Sequence, residues 1–325
     1  MTTLTLNSLG GRAGLPSFPS NLPLSNPSLI SSGPYGTLFA EDYSEEYVPS
    51  DDDYYEDEWE YGNYDERYGE FSTHEEYHLD GVPRARDLPP ALKKRWETAF
   101  GIKPSKFFRE LFDTKKVGLE SAVVVIEPGA EDKPESVEVH CRLARPGTRM
   151  LIGAMDTSFW FGDDGAPQAH LKLFELGYGA TGQGIAKELM ANSVELFQQM
   201  GVKEISLRAG LGMGGYVWPK LGFTPAEGHE TRHLYQQIRK RLGDLEIPGA
   251  VKQTVRQLLR GNNPQAIWTI SDLSGVSVMY REEELPLGKA LLFGTEWHGS
   301  LDLTDPVAMA RFAQYVTTPT SGVAQ

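Results

Sequence analysis

ELGYGATGQGIAKEL, Glu175–Leu189, is the stretch from which the rest of the chain is read. An apolar segment, HLKLFEL (His170–Leu176), ends here, with Leu171, Leu173 and Glu175 on one face of the expected strand. Four glycines (177, 179, 182 and 184) then fall within eight residues. After them IAKELMANSVELFQQMG (Ile185–Gly201) places apolar residues at 185, 186, 189, 190, 194, 196, 197 and 200, one helical face closed by Gly201. Free N–H groups at a helix start form an anion site, and glycine lets a phosphate approach the backbone. No Gly-Lys-Ser/Thr follows, so the loop is not a Walker loop. The G-x-G-x-x-G spacing is met only as Gly177–Gly182, with more loop behind it and no acidic ribose ligand on a following parallel strand. A glycine turn with a purely structural role is the plain alternative.

Working outward, strands precede this loop. SAVVVIEPG (Ser121–Gly129) is β-branched and stops at Pro-Gly. SVEVHCRLAR (Ser136–Arg145) alternates, with Val137, Val139, Cys141 and Leu143 on one face, and RMLIGAM (Arg149–Met155) is a further apolar run. Two helices come earlier: ALKKRWETAF behind Pro89 and Pro90, and SKFFRELFDTKK (Ser105–Lys116), with Ser105 as N-cap and Phe108, Leu111 and Phe112 on one face. Downstream, KEISLRA (Lys203–Ala209) alternates again, and a glycine-rich turn leads into GGYVWPKLGF (Gly214–Phe223). The remainder reads as mainly helical: HLYQQIRKRL, VKQTVRQLLR, the apolar run KALLFGTEW (Lys289–Trp297) and a last helix opening at Asp305-Pro306. There is no internal repeat. The order predicts an α+β, or mixed α/β, fold.

Charge is unevenly spread. Residues 41–80 hold 17 Asp or Glu and one basic residue, Arg67, a local charge of −16 in a chain of net −14. Eight of the 14 tyrosines lie there too, and a Ser/Pro-rich stretch precedes it. Neither stretch has an apolar period, so residues 1–86 are expected to be a disordered tail. The expected division is therefore this tail, a domain over 87–228, and a mainly helical extension over 229–325 packed on it. The acidic run reads either as a solvated spacer or as a docking segment for a basic protein partner, and phosphate repulsion argues against nucleic acid there. No apolar run approaches the ~20 residues of a membrane span, and the first 33 residues do not read as a secretory signal. One cysteine, Cys141, excludes an intramolecular disulfide and any multi-cysteine metal site, which fits a reducing, cytoplasmic setting.

TGQGIAKEL (Thr181–Leu189) resembles the pyrophosphate loop of the GNAT N-acetyltransferases. Gly184 and Ala186 fall on the last two positions of that family's Arg/Gln-x-x-Gly-x-Gly/Ala motif. The helix and the strand Lys203–Ala209 follow at the family's spacing, and WPKLGF (Trp218–Phe223) resembles its Tyr-x-Lys-x-Gly-Phe block. The likeness covers residues 105–225. GGYVWPKLGF is most similar to a divergent branch that includes phage head-associated proteins, which would place such a chain in a virion. The resemblance implies a twisted mixed sheet flanked by helices, with acetyl-CoA or another acyl-CoA between the strands Leu171–Glu175 and Lys203–Ala209. Leu176, Thr181, Gly182, Gln183, Gly184, Ile185 and Ala186 would hold it. The implied reaction is acyl transfer to an amine, on a small molecule or a protein, with Glu175 as general base. Three positions depart from the pattern. Thr181 replaces Arg or Gln, Leu211 replaces Asn, and Trp218 replaces the Tyr that protonates the leaving thiolate. Tyr216 is the candidate in its stead, but two residues put it about 200° around a helix from that place, which makes it a poor substitute acid. The departures favour a second reading, a catalytically degenerate structural or interaction protein on the same scaffold.

Other constellations have plainer readings. His229-Glu230-Thr231-Arg232-His233 matches H-E-x-x-H, but Arg232 puts a cation inside the motif and no third ligand has a recognised spacing, so no metal is expected. His140 and Cys141 are adjacent in a strand and point to opposite faces, which forbids a dyad. His170 is a weaker candidate base than Glu175. Arg239, Lys240 and Arg241 read as a solvated helix face, and Trp268 and Trp297 as core.

Overall fold

A computed structural model describes residues 75–80, 88–128, 134–162, 165–177, 179–210 and 212–318. In chain order the elements are β1 (Glu75–Asp80), α1 (Pro90–Phe100), α2 (Pro104–Leu111), β2 (Gly118–Pro128), β3 (Pro134–Ala144), β4 (Leu151–Phe161) and β5 (Pro167–Leu176). They continue with α3 (Ile185–Gln199), β6 (Glu204–Ala209), α4 (Gly214–Lys220), β7 (Thr224–Pro225), α5 (His229–Asp244), α6 (Gly249–Leu258) and α7 (Ala266–Ser271). The last are β8 (Ser277–Tyr280), β9 (Glu283–Pro286), α8 (Leu287–Leu292), β10 (Trp297–Asp302) and α9 (Pro306–Thr317). The main sheet has the order β1-β2-β3-β4-β5-β6-β10-β7, and β8 and β9 form a separate hairpin. Every neighbouring pair is antiparallel except β5 and β6, which run parallel across the α3 connection. The fold is α+β, a mixed sheet flanked by helices.

The packing follows from the sequence pattern. Val137, Val139, Cys141 and Leu143 all turn inward from β3, and the residues between them face out. Against that face, α1 and α2 bring Trp96, Phe100, Phe107 and Phe108. Their rings meet edge-to-face, Trp96 with Phe107 at 5.2 Å and Phe100 with Phe159 of β4 at 5.1 Å. Phe197 of α3 joins the stack at 5.2 Å from Phe159. Such pairs add to the burial of the rings themselves. α1 stops at Gly101, whose φ of 66° is left-handed and whose N–H reaches the Glu97 carbonyl at 2.9 Å. α2 starts two residues earlier than expected. Pro104 is its first residue and Lys103 its N-cap, so Ser105 lies inside the helix and caps nothing.

Two boundaries need correcting. Residues 75–80, inside the stretch expected to be a tail, pair along all of β1 with β2, and Leu79 is buried there. Residues 1–74 lie outside the described residues. At the other end, residues 229–325 are not a helical extension beside a finished sheet. β10 pairs with β6 over six positions and with β7 over two, so it lies inside the sheet. KALLFGTEW reads as one apolar run, but Gly294 breaks it at φ 68°, ending α8 and turning the chain into β10. β10 hides its alternation because one of its buried positions is a glycine. A Cβ on Gly299 would sit 2.0 Å from the Thr224 carbonyl oxygen, so only glycine lets β7 pair there.

Candidate functional site

The parallel pairing of β5 and β6 lasts three residues, Ala169–Leu171 against Ile205–Leu207. Both strands run on, β5 to Leu176 and β6 to Ala209, without pairing to one another. The cause lies on the other side of β5. Asp156 of β4 pairs with Leu173 and Thr157 with Leu171, which leaves Lys172 as an extra residue. Such a bulge bends and twists the strand that carries it. Beyond the bulge β5 stays with β4. At Gly153 a Cβ would come within 2.3 Å of the Glu175 carbonyl oxygen, so a larger residue would push the strands apart. β5 therefore follows β4 away from β6, and a cleft opens between them.

The cleft has a volume of 330 Å³. β5 lines it with Leu171 through Leu176, β6 with Leu207 and Arg208, and α4 with Gly214, Val217 and Trp218. Thr181 and Ala186, at the start of α3, complete it. The seat of α4 is tight: a Cβ on Gly215 would lie 2.2 Å from Thr295 Oγ1 and 2.5 Å from the Leu292 carbonyl oxygen. The walls are mostly apolar, with a few polar groups, which is the composition of small-molecule sites.

At the α3 end, Gly179, Gly182 and Gly184 have φ of 88°, 76° and 77°. An added Cβ at Gly179 or Gly182 would meet nothing within 4 Å, so backbone angle rather than crowding calls for glycine there. The Gln183 amide braces the loop by donating to the Gly179 carbonyl. No side chain caps α3, and its first helical bond runs from the Glu188 N–H to the Gly184 carbonyl at 3.2 Å. The N–H groups of Ile185, Ala186 and Lys187 precede that bond and have no helical acceptor. The α3 start is thus an open anion-binding end beside an apolar cleft. Lys116 salt-bridges Glu188 at 2.5 Å and Thr114 also donates to it, so the acid in the first turn is compensated. Lys187 donates to the Thr318 carbonyl at 3.0 Å and lies over the Tyr315 ring, outside the cleft lining.

Of the residues expected from sequence, the cleft brings together Glu175, Leu176, Thr181 and Ala186. Glu175 is exposed at its rim. Gly182, Gln183 and Gly184 form the turn at the mouth without lining the cleft, and Ile185 is buried behind it. Tyr216 does not line it. The turn of α4 carries Tyr216 to the other side, where Lys220 sits 4.9 Å over its ring. Burial, then Asp272, push its phenol above the ordinary range. Both facts tell against it as the acid of this cleft. Leu211 lies outside the described residues. His170 is not in the cleft lining either. Its Nδ1 is 2.9 Å from Ser206 Oγ, and burial, then the electrostatic influence of Lys172 and His298, lower its pKa.

Sequence reasoning missed Lys172, Arg208 and Phe174. Lys172 pairs with Glu138, which also lies 3.2 Å from His140 Nε2, while His140 Nδ1 lies 3.3 Å from Asp156 Oδ2. The Asp156 and Glu138 carboxylates hold the imidazole up at about 9. His140, bonded to Glu138, together with Lys172 holds that carboxyl at about 2, against the opposing effect of burial. Cys141, on the opposite face, is buried, and burial raises its thiol far above the ordinary range. In H-E-x-x-H the rings of His229 and His233 stack at 6.0 Å, but Glu230 accepts the His298 N–H at 3.0 Å. Among the described residues no cluster of three His, Cys, Asp or Glu could hold a metal, and no helix is long and apolar enough to cross a membrane.

No family model and no curated protein matches the chain. Among solved structures it is similar to Arabidopsis thaliana Naa50 in complex with the bisubstrate analogue CoA-Ac-MVNAL, at 15% identity and a TM-score of 0.25, over 47% of this chain and 85% of that one. It is also similar to the NatC complex bound to Gag peptide and CoA, at 13% identity and a TM-score of 0.24, over 48% and 89%. A third is nourseothricin acetyltransferase, at 10% identity and a TM-score of 0.24, over 46% and 84%. Likeness at these scores assigns this chain no ligand and no reaction.

Proposed function

We propose that the protein is an acyl-CoA-dependent N-acyltransferase of GNAT type that transfers an acetyl group to an amine on a small molecule or a protein. The observation that carries this is the splay of β5 from β6, which opens an apolar cleft onto the uncapped start of α3. The donor set fits the group. Free amides over 185–187 suit a pyrophosphate, and the apolar walls from Leu171 to Leu176 and from Val217 suit the uncharged arm behind it. When bound, acyl-CoA supplies an activated thioester. Thr181 and the loop amides would hold its phosphates. Backbone N–H groups of β5 beyond Leu171, where the pairing with β6 has ended, would polarise its carbonyl. Glu175, at the rim, accepts the proton that the attacking amine loses, directly or through one water.

Calorimetric titration of CoA into the purified protein tests the reading. Binding is expected in the micromolar to sub-millimolar range. Thr181→Glu should weaken it at least tenfold by placing like charge beside the phosphates, on a residue that is exposed and carries no backbone constraint. Gly184→Glu should abolish it, but at φ 77° it also strains the backbone, so Thr181→Glu is the cleaner variant. Absence of CoA binding at millimolar concentration overturns the proposal.

A second reading has its own observation: the cleft lining holds Trp218 where an acid is expected, and Tyr216 lies outside it. On that reading the chain is a GNAT-like scaffold with a structural or interaction role, as the likeness to phage head-associated proteins implies. CoA binding without turnover of any amine would favour it.

A further inference from the structure

Trp218 stands on the α4 wall of the cleft with its ring fixed by two neighbours. Phe174 of β5 lies 6.3 Å away and tilted, and Phe223 lies edge-on at 5.2 Å. An indole N–H away from bulk water ordinarily finds an acceptor. Trp160 donates to Gln168, and Trp268 donates to the Phe223 carbonyl at 2.9 Å. Trp218 donates to nothing among the described residues, yet its Nε1 is not sealed in the core as those of Trp96 and Trp297 are. The nitrogen lies beside Gly214, where an added Cβ would come within 3.3 Å of it. The other cleft residues of α4 and its flanks, Met213, Val217 and Leu221, carry no donor. The two cations of the cleft are already paired, Lys172 with Glu138 and Arg208 with Glu296.

We propose that Trp218 is the hydrogen-bond donor that stabilises the sulfur anion released in acyl transfer, holding its charge without giving up a proton. This rests on the acyl-CoA reading above. In the step, the amine nitrogen bonds to the thioester carbonyl carbon and the C–S bond breaks, its electron pair remaining on sulfur. The amine proton passes to Glu175 or water. The indole N–H, a donor only, keeps its own proton, and the thiolate is protonated later from solvent. A tryptophan in this place thus changes the handling of the leaving group from proton transfer to charge stabilisation.

The test uses CoA itself and follows the thiolate by its ultraviolet absorbance across pH. With wild-type protein the bound thiol should titrate about one to two pH units below free CoA in the same buffer, the worth of one hydrogen bond to an anion. Lys172 and Arg208 also favour the anion, so the decisive quantity is the difference between wild type and variant. Trp218→Phe should return most of the shift while CoA still binds. Gly214→Ala, which keeps the indole but sets a methyl against its nitrogen, should return part of it and guards against a Phe variant that misfolds. If CoA binds but its thiol titrates as in free solution, or if both variants keep the full shift, Trp218 is not the donor and the acyl-CoA reading stands. If CoA does not bind wild-type protein, both fall.

Discussion

At residue 218 the distinction between a donor and an acid can be measured. A tyrosine there would set a phenol on the same α4 wall of the cleft, with Phe174 and Phe223 as its ring neighbours. General acid catalysis is worth ~10²–10⁴-fold, and a CoA thiolate leaves tolerably unaided, so the gain should fall near the low end. Trp218→Tyr is expected to raise kcat for amine acetylation up to about 10²-fold with CoA affinity unchanged. Steady-state kinetics against a panel of small amines and peptides would show it. An unchanged kcat means that the proton reaches sulfur by another route, with water the first candidate, because Tyr216 lies outside the cleft.

At the scale of single elements, the central strands carry a titrating network beside the cleft. His140 on β3 lies between Asp156 on β4 and Glu138 on its own strand, and Glu138 pairs with Lys172 at the bulge of β5. Its folded value of about 9 lies above the ordinary 6.5. The stabilisation is therefore complete below pH 6.5 and is lost as pH rises through 9. Discounted for partial solvent contact, it amounts to about 1 kcal/mol, or ~2–4 °C in the thermal midpoint. The midpoint is expected to fall between pH 6.5 and 9 in wild type and to stay flatter in His140→Gln. Equal slopes in the two proteins would remove His140 from the account. The same strands show what could be read in advance. β3 was legible because its apolar residues alternate without interruption and a half-buried sheet requires that period. Glu175 and Thr181 were legible because glycines mark the strand-to-helix turn between them. Lys172 was not. A bulge depends on how β4 is bonded across from it, and one extra residue changes which side chains beyond it share a face. β10 was hidden by Gly299, a buried strand position with no side chain to reveal it.

For the molecule as a whole, the first strand of the described chain and the last, β1 and β10, both belong to the main sheet. β10 enters between β6 and β7 from nearly ninety residues downstream of β6, so residues 229–318 close the sheet on the cleft side and cannot be treated as a separable extension. At the opposite edge β1 covers β2. A cut at residue 86, the boundary that composition suggests, would remove β1 together with the acidic stretch. It would expose the outer edge of β2 and lose Leu79, which is 3% exposed. Burying one leucine is worth about 1.5–3 kcal/mol, and the ladder bonds of six paired residues go with it. A protein starting at residue 87 should therefore melt at least ~5 °C below one starting at residue 75, and should aggregate more readily through its bare edge strand. Calorimetry and light scattering on the two truncations would measure this. Equal midpoints would show that β1 contributes nothing to stability and that the sheet effectively begins at β2. The comparison also bears on the cleft. β1 lies four strands from β5, so CoA affinity is expected to be the same in both proteins at a temperature where both are folded, even as their midpoints separate.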